Sequence, residues 1–325
     1  MNPRYPVFVP TKGRWESRYT IRALEKIGVP FRAVVEEQEF DDYAAVVDPA
    51  KILVLPHRDK GLVVTRNWIW DYAARLGVKR FWTFDDNIQG FYRLNHNLKV
   101  PVGDGTILAV MEDFTERYMN VPVSGMNYFM FASRKCELPP FYLNTRVYSN
   151  MLIETEARDP RGDLYRNEGF YNDDTDLCLR MLKDGRCTVL FNAFLIGKSV
   201  TMSVKGGMTS HYQKLVGEVD PKWVALAQEV RSLSLYQKPA DAVQDPERLT
   251  DGRWRMAAEL AAKHPDVTRI TRKWGRWQHH VDYSRFQRNR LEPVPGLRID
   301  PAVNDYGMKL IESEEFTAKS QKAGG

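Results

Sequence analysis

Asp85, Asp86 and Asn87 stand in a row directly behind the apolar and aromatic run "RFWTF", residues 80–84. Carboxylate and amide oxygens are hard ligands of the kind that hold Mg²⁺ or Mn²⁺ jointly with a diphosphate. A turn that merely ends a strand is the alternative reading, because Asp and Asn are common loop residues. A second cluster, Asp173, Asp174 and Asp176, lies in "YNDDTDLC". Capping and the helix dipole stabilise first-turn carboxylates by about 0.5 to 2 kcal/mol, which accounts for one or two of them, Asp173 and Asp176. Three in four residues exceeds that need, and a carboxylate at the mouth of a crevice suits a general base acting on an acceptor hydroxyl. A third element is "KGGMTSHYQ", where His211 follows Gly206 and Gly207, two glycines with no evident packing use in a strand or helix. That histidine is either an ordinary polar residue or the nitrogen member of a metal-ligand set.

Cations and further carboxylates accompany these clusters. Lys12, Gly13 and Arg14 leave the first apolar run in "VPTKGR", a loop able to approach phosphates. Arg66 and Asn67 open the stretch "TRNW", predicted as a helix start, so an arginine fork and a helix N-terminus would flank the same anion. Glu36 and Glu37 end "FRAVVEE" and are placed to accept hydrogen bonds from a ribose or a base edge.

Such residues act together only if the chain gathers them, and apolar runs alternate with amphipathic stretches through about residue 215, the pattern of strand-helix units on a mostly parallel sheet. Strands are predicted at "YPVFVP", "FRAVVEE", "KILVLP", "RFWTF", "VSGMNYFMFAS" and "RCTVLFNAFLIG". Helices are predicted at "ESRYTIRALEKIG", "TRNWIWDYAARLG", "GTILAVMEDFTERYMN" and "NDDTDLCLRMLKDG", with a glycine-bearing loop after Asn87. Ligands of open parallel sheets bind at the carboxyl ends of the strands, where these residues fall. From residue 216 the texture changes to a loop-like "YQKPADAVQDPERLTDGR", a helix ending near His264, and two strands turning at Gly275. Residues 269–290 carry seven basic residues against Asp282 alone, a formal +6, interleaved with Trp274, Trp277, Tyr283 and Phe286. Arg272, Lys273 and Arg276 with the two tryptophans suit a polyanion backbone with stacked bases, or else the rings pack and the arginines are plain surface. The tail from about residue 317 is predicted to be disordered.

With 325 residues, 43% of them hydrophobic, the chain is long enough for one large α/β core and an appendage. No run approaches the roughly eighteen apolar residues of a membrane span, and the N-terminus lacks a signal-peptide layout, so a cytoplasmic protein is predicted. Cys136, Cys178 and Cys187 have no metal-ligand spacing and fit a reducing compartment. A net charge of +5 decides nothing unless it is clustered.

A first strand followed by "PTKGR", an "RN" helix, "FDDN", the helix-opening "NDDTDLCLRMLKDG" and the late His211 together resemble the GT-A glycosyltransferases over about residues 5 to 215. "FDDN" stands in the place of their Asp-x-Asp (DXD) motif, and Asp173-Asp174 in the place of their Glu-Asp motif. Including "VVEEQEFDDY" and "RKWGRWQHHVDY", the chain most resembles the TET/JBP-associated glycosyltransferases of bacteriophages, relatives of the base J glucosyltransferases. The resemblance implies a GT-A, Rossmann-like α/β domain over residues 1–215 and a small α+β extension over 216–325. It implies a Mn²⁺ or Mg²⁺ cofactor and a nucleotide-sugar donor, UDP-glucose or similar. The implied reaction is an inverting transfer to the hydroxymethyl group of a pyrimidine such as 5-hydroxymethylcytosine in double-stranded DNA, inside the host cell. Carried over by position, Asp86, Asn87 and His211 would hold the metal, and Pro10, Thr11, Lys12, Arg14, Glu36, Arg66, Asn67, Asp85 and Asp86 would line the donor site. Asp174, with Asp173 beside it, would be the acceptor base, and Arg272, Lys273, Trp274, Arg276 and Trp277 would meet DNA. Asn87 departs from the third aspartate of many members. A polysaccharide or protein acceptor, a nucleotidyltransferase and a non-catalytic DNA-binding protein on a transferase scaffold are the rival readings.

Overall fold

The computed structural model describes residues 1–157, 172–199, 206–207, 221–232, 252–273, 275–298, 300 and 305–311. His211, Trp274, residues 233–251, read as largely loop-like in the sequence, and the tail lie outside them. The first unit runs β1 (Val7–Pro10), α1 (Tyr19–Lys26), β2 (Arg32–Glu36), α2 (Phe40–Ala44), β3 (Ile52–Leu55), α3 (Leu62–Arg75) and β4 (Arg80–Phe84). It continues with β5 (Ile88–Asn95), β6 (Leu98–Pro101), α4 (Thr106–Thr115), β7 (Val123–Tyr128), β8 (Phe141–Leu143), β9 (Asn150–Glu154), α5 (Asp173–Lys183) and β10 (Thr188–Lys198). These strands form one sheet in the order β3-β2-β1-β4-β9-β7-β10-β5-β6, with β8 pairing β10. Among the described residues, seven strands share one direction, while β5, β8 and β9 run against them.

Period-two alternation gives the sheet two apolar faces. Phe8, Val34, Phe81 and Met151 point to one side, under Ile69, Trp70 and Ala73 of α3 and Leu177 and Met181 of α5. Val9, Val35, Trp82 and Phe84 point to the other, under Leu24 of α1 and Met111 and Phe114 of α4. Both sides of the central strands are therefore dry, which is why "VFVP" and "RFWTF" read as continuous apolar runs. Chain order reverses at β1: β2 lies on one side of it and β4 on the other. Such a switch point opens a crevice at the carboxyl ends of the two strands. Thr11 to Arg14 leave β1 there, and Asp85 to Asn87 leave β4.

Two local expectations are corrected. The predicted loop after Asn87 is an antiparallel hairpin, β5 with β6. Gly90 suggested a break, but it pairs with Gly197 of β10, and the Tyr92 ring fills the space both glycines leave. Helix α3 starts at Leu62, after Gly61 in a left-handed conformation at φ 86°, because Val63 and Val64 continue its apolar pattern. Arg66 and Asn67 therefore sit in its second turn, and the helix N-terminus is not beside Arg66.

The C-terminal elements are α6 (Pro221–Ser232), α7 (Gly252–Lys263), β11 (Thr268–Lys273) and β12 (Arg276–Val281). Strands β11 and β12 pair as the expected hairpin, and Trp254, Ala257 and Ala258 of α7 pack with Ile270 of β11 and Val230 of α6. Leu260, Val267 and Phe286 pack against Leu179 and Leu182 of α5. Burial of side chains of this size contributes about 1.5–3 kcal/mol each, so this contact fastens the hairpin to the helix that carries the second acidic cluster.

Candidate active site

The loop after β1 is tied to α2 and to the residue before it by hydrogen bonds. Gly13 N–H donates to Glu39 at 2.8 Å, and Arg14 N–H donates to the Tyr43 hydroxyl at 3.2 Å. The same hydroxyl lies 2.6 Å from Thr11 Oγ1, which in turn lies 3.1 Å from Asp86 Oδ2. Gly206 and Gly207 explain themselves here, because they lie directly on this loop. A Cβ on Gly206 would meet the Gly13 carbonyl oxygen at 2.5 Å, and one on Gly207 would meet the Arg14 guanidinium at 2.8 Å. Gly207 N–H donates to the Lys12 carbonyl at 3.0 Å, and Arg14 Nη2 donates to the Gly206 carbonyl at 3.1 Å. Only glycine permits that approach, at φ 86° and 58°.

The two aspartates of "FDDN" have different company. Asp85 lies between two cations, with Arg66 Nη2 2.7 Å from Oδ1 and Lys198 Nζ 2.7 Å from Oδ2. Burial alone would raise its carboxyl, but Lys198 and Arg66 outweigh it and hold Asp85 well below the usual carboxylate range. Among the described residues Asp86 has a single charged partner, Arg14 Nη1 on Oδ1. There burial wins and pushes the carboxyl up. Lys198 also donates to Ser149 Oγ at 2.6 Å, and its pKa is raised because Asp85 outweighs the cost of burial. Nothing in the sequence pattern had selected Lys198, Ser149 or Tyr43. The one usable signal was a lone lysine closing the apolar strand β10, at a carboxyl end.

Arg66 spans the two acidic clusters, since its Nη1 pairs with Asp173 while its Nη2 pairs with Asp85. Asp173 is thus an ion-pair partner. Asp174, next to it, has no such cation within hydrogen-bond reach among the described residues; its Oδ1 accepts from Thr175 N–H at 2.6 Å. Burial first, and then the charge of Asp173, raise its carboxyl to about 6, against a pull from Arg66 and Arg146. A carboxyl poised near 6 is deprotonated at neutral pH yet basic enough to accept a proton. Asp176 is structural: it is buried, pairs with Arg180 at 3.1 Å, and meets His264 Nε2 at 2.8 Å.

Lys12 pairs with Glu36 at 2.7 Å and with Asp59. Glu36 is buried at the end of β2 and also accepts from Gln38. Pro10, Thr11, Lys12, Arg14, Glu36, Arg66, Asp85, Asp86, Asp173 and Asp174 therefore all lie on the strand ends, loops and helix turns around the crevice. Asn67 sits one residue beyond Arg66 on α3.

Arg146 reaches this centre from the sheet side. Its guanidinium stacks over the Tyr148 ring at 4.7 Å and donates to His279 of β12 at 3.3 Å. Burial and the Arg146 charge hold His279 down at about 3, so its ring is neutral and accepts that bond. Arg272, Lys273 and Arg276 are exposed at the tip of the hairpin, with Arg272 5.8 Å from the Trp277 ring. Two rings read as candidates for stacking bases are packing residues instead, since Phe286 is in the core and the Tyr283 hydroxyl is buried.

A divalent cation finds a partial ligand set. Among the described residues no three His, Cys, Asp or Glu side chains converge as metal ligands. Asn87 Oδ1, however, is buried without a hydrogen-bond partner, beside Asp86. One carboxylate and one amide oxygen, completed by phosphate oxygens and water, fit the way Mg²⁺ is commonly held. His211, the expected third protein ligand, lies outside the described residues.

Residues 5–207 match the family model described as TET-Associated Glycosyltransferase. No curated protein matches the chain. Among solved structures, S. aureus TarS 1–349 in complex with UDP is 13% identical, with 88% of this chain and 98% of that chain covered, at a TM-score of 0.43. The same TarS fragment without the nucleotide gives 12% identity, the same coverage and a TM-score of 0.41. Apo UDP-glucose pyrophosphorylase gives 11% identity, 60% and 91% coverage and a TM-score of 0.33.

Proposed function

The chain belongs to the TET-associated glycosyltransferase family and is a glycosyltransferase, and from that premise we propose that it moves a hexose from a nucleotide sugar, UDP-glucose or similar, to the hydroxymethyl group of a modified pyrimidine in double-stranded DNA. The observation that carries the reading is the convergence of "FDDN", "NDDTD" and the "TKGR" loop on one crevice, with Asp174 raised to about 6 within it. A family name built on TET association supports a DNA acceptor, as does the basic hairpin docked on α5. The reading is of a phage enzyme working in the host cytoplasm, which its free thiols at Cys136, Cys178 and Cys187 suit. No described helix is long and apolar enough to cross a membrane.

In this mechanism the ionised Asp174 takes the proton of the acceptor hydroxymethyl group as that oxygen bonds to the anomeric carbon. The bond from that carbon to the diphosphate breaks at the same time, and its electron pair leaves with the nucleoside diphosphate. Attack opposite the leaving group inverts the anomeric configuration. Glu36 receives the ribose or base edge, and Lys12, Arg14 and Arg66 neutralise the diphosphate. Asp86 and Asn87, with His211, would hold Mn²⁺ or Mg²⁺, whose contribution when bound is charge stabilisation on the leaving diphosphate. Asp85, locked between Arg66 and Lys198, orients Arg66.

Mass spectrometry of nucleosides tests the proposal, using hydroxymethylpyrimidine DNA incubated with the enzyme, Mn²⁺ and a panel of nucleotide sugars. A hexose-sized mass gain on one base, lost in Asp86→Ala, is the expected outcome. Donor hydrolysis that depends on Asp86 without any change in the DNA would remove DNA as the acceptor and turn attention to a polysaccharide or protein.

A further inference from the structure

We propose that Arg14 is an internal counter-ion that keeps the cation seat at Asp86 and Asn87 closed until a nucleoside diphosphate arrives, so that donor and divalent cation enter only together. The inference rests on the nucleotide-sugar reading above and deepens it. Its starting point is an inequality between neighbours. Asp85 is fixed by two cations that are themselves tied down: Arg66 is shared with Asp173, and Lys198 is bonded to Ser149. Among the described residues Asp86 has one cation, supplied by the loop after β1. If either aspartate yields its oxygens to a metal ion, it is Asp86.

Arg14 and a divalent cation compete for one carboxylate. Seated on Asp86, its Nη1 is committed, and a divalent ion on the same carboxylate would lie within a few ångströms of a guanidinium, where like charges in a poorly solvated crevice repel strongly. Arg14 cannot simply leave either. Asp86 is only 13% exposed, and a buried carboxylate stripped of its one cation is costly. A diphosphate resolves both constraints, because a guanidinium fork donates to phosphate as readily as to carboxylate. When Arg14 turns to the phosphates, Asp86 and the unpartnered Asn87 oxygen become available together. The guanidinium lies against Gly207, which has no side chain, and its second amino group is on the Gly206 carbonyl.

Two linked binding constants read the device. Mn²⁺ binding to the full-length protein is followed by electron paramagnetic resonance and calorimetry, with and without UDP. Mn²⁺ alone should bind weakly, and UDP should tighten it on the order of 10- to 100-fold, with Mn²⁺ tightening UDP by the same factor. Arg14→Gln should let Mn²⁺ bind without UDP and shrink the coupling. Simple bridging of metal and phosphate, with no role for Arg14, would leave Mn²⁺ alone as weak in Arg14→Gln as in the wild type, and that result overturns the proposal. So does a wild-type Mn²⁺ affinity indifferent to UDP, a measurement that needs no variant. UDP binding with no Mn²⁺ uptake at all would sink the device and leave the glycosyltransferase reading standing. Failure of UDP, GDP and CDP alike to bind would sink the donor reading, and this inference with it.

Discussion

Asp173 and Asp174 are neighbours in sequence and opposites in role, because among the described residues one has a cation within hydrogen-bond reach and the other does not. Arg66 pairs with Asp173, whereas Asp174 feels burial and the adjacent negative charge and is raised from 3.8 to about 6. Two consequences follow for pH. The ionised form is the base, so kcat/KM should fall with decreasing pH through a limb near 6, and Asp174→Asn should abolish transfer while leaving UDP affinity unchanged. A limb near 4, or full activity in Asp174→Asn, would remove Asp174 from the role of base. The stability sign is opposite to that of an ion-paired aspartate. The folded state binds this proton more tightly than the unfolded chain, so Asp174 destabilises the fold above about pH 6 and ceases to do so as pH falls below 4. Asp174→Asn should therefore melt at a higher temperature than wild type at pH 8 and lose that advantage below pH 4.

At the level of elements, α5 has two loads. Its first turn presents Asp173 and Asp174 to the crevice, and its buried side holds the C-terminal unit. Asp176 joins the two, bonded within the helix to Arg180 and across to His264 at the end of α7. Both Arg180 and Asp176 are nearly inaccessible, so removing the carboxylate leaves a buried guanidinium undercompensated. Asp176→Ala should cost about 3–5 kcal/mol of stability in chemical denaturation, while the protein that remains folded keeps its UDP affinity. A loss below about 1 kcal/mol, the size of an exposed pair, would mean that α5 and α7 are not coupled through this residue. The same docking brings His279 of β12 to Arg146, whose charge acts on Asp174, so the basic hairpin and the crevice meet through a direct contact.

For the whole molecule, charge is the discriminating quantity. A net +5 spread over 325 residues says little, but Arg272, Lys273 and Arg276 lie exposed together on one hairpin. Each phosphate contact contributes about 0.9 to the slope of log affinity against log salt. Replacing all three by alanine should reduce that slope by about 2 to 3 and weaken DNA binding across sequences, with nucleotide binding untouched. An unchanged slope would assign the hairpin to folding alone and favour an acceptor other than DNA.

Local periodicity was enough to place most strands and helices, since alternation and helical repeats are properties of a few adjacent residues. It was also enough to mark "FDDN" and "NDDTD" as carboxylates at element ends, and the "TKGR" loop as a cationic neighbour. It failed at β5, where Gly90 looks like a break until Tyr92 and Gly197 are seen beside it, and at the start of α3. Partnership was beyond its reach. Lys198 reaches Asp85 across 113 residues, and Arg14 reaches Gly206 across 192, distances along the chain that carry no information about distance in space. Which aspartate is locked, which can exchange its cation and which titrates near 6 depend on burial and on charges a few ångströms away. Strand order alone brings those charges together, and strand order is a tertiary property.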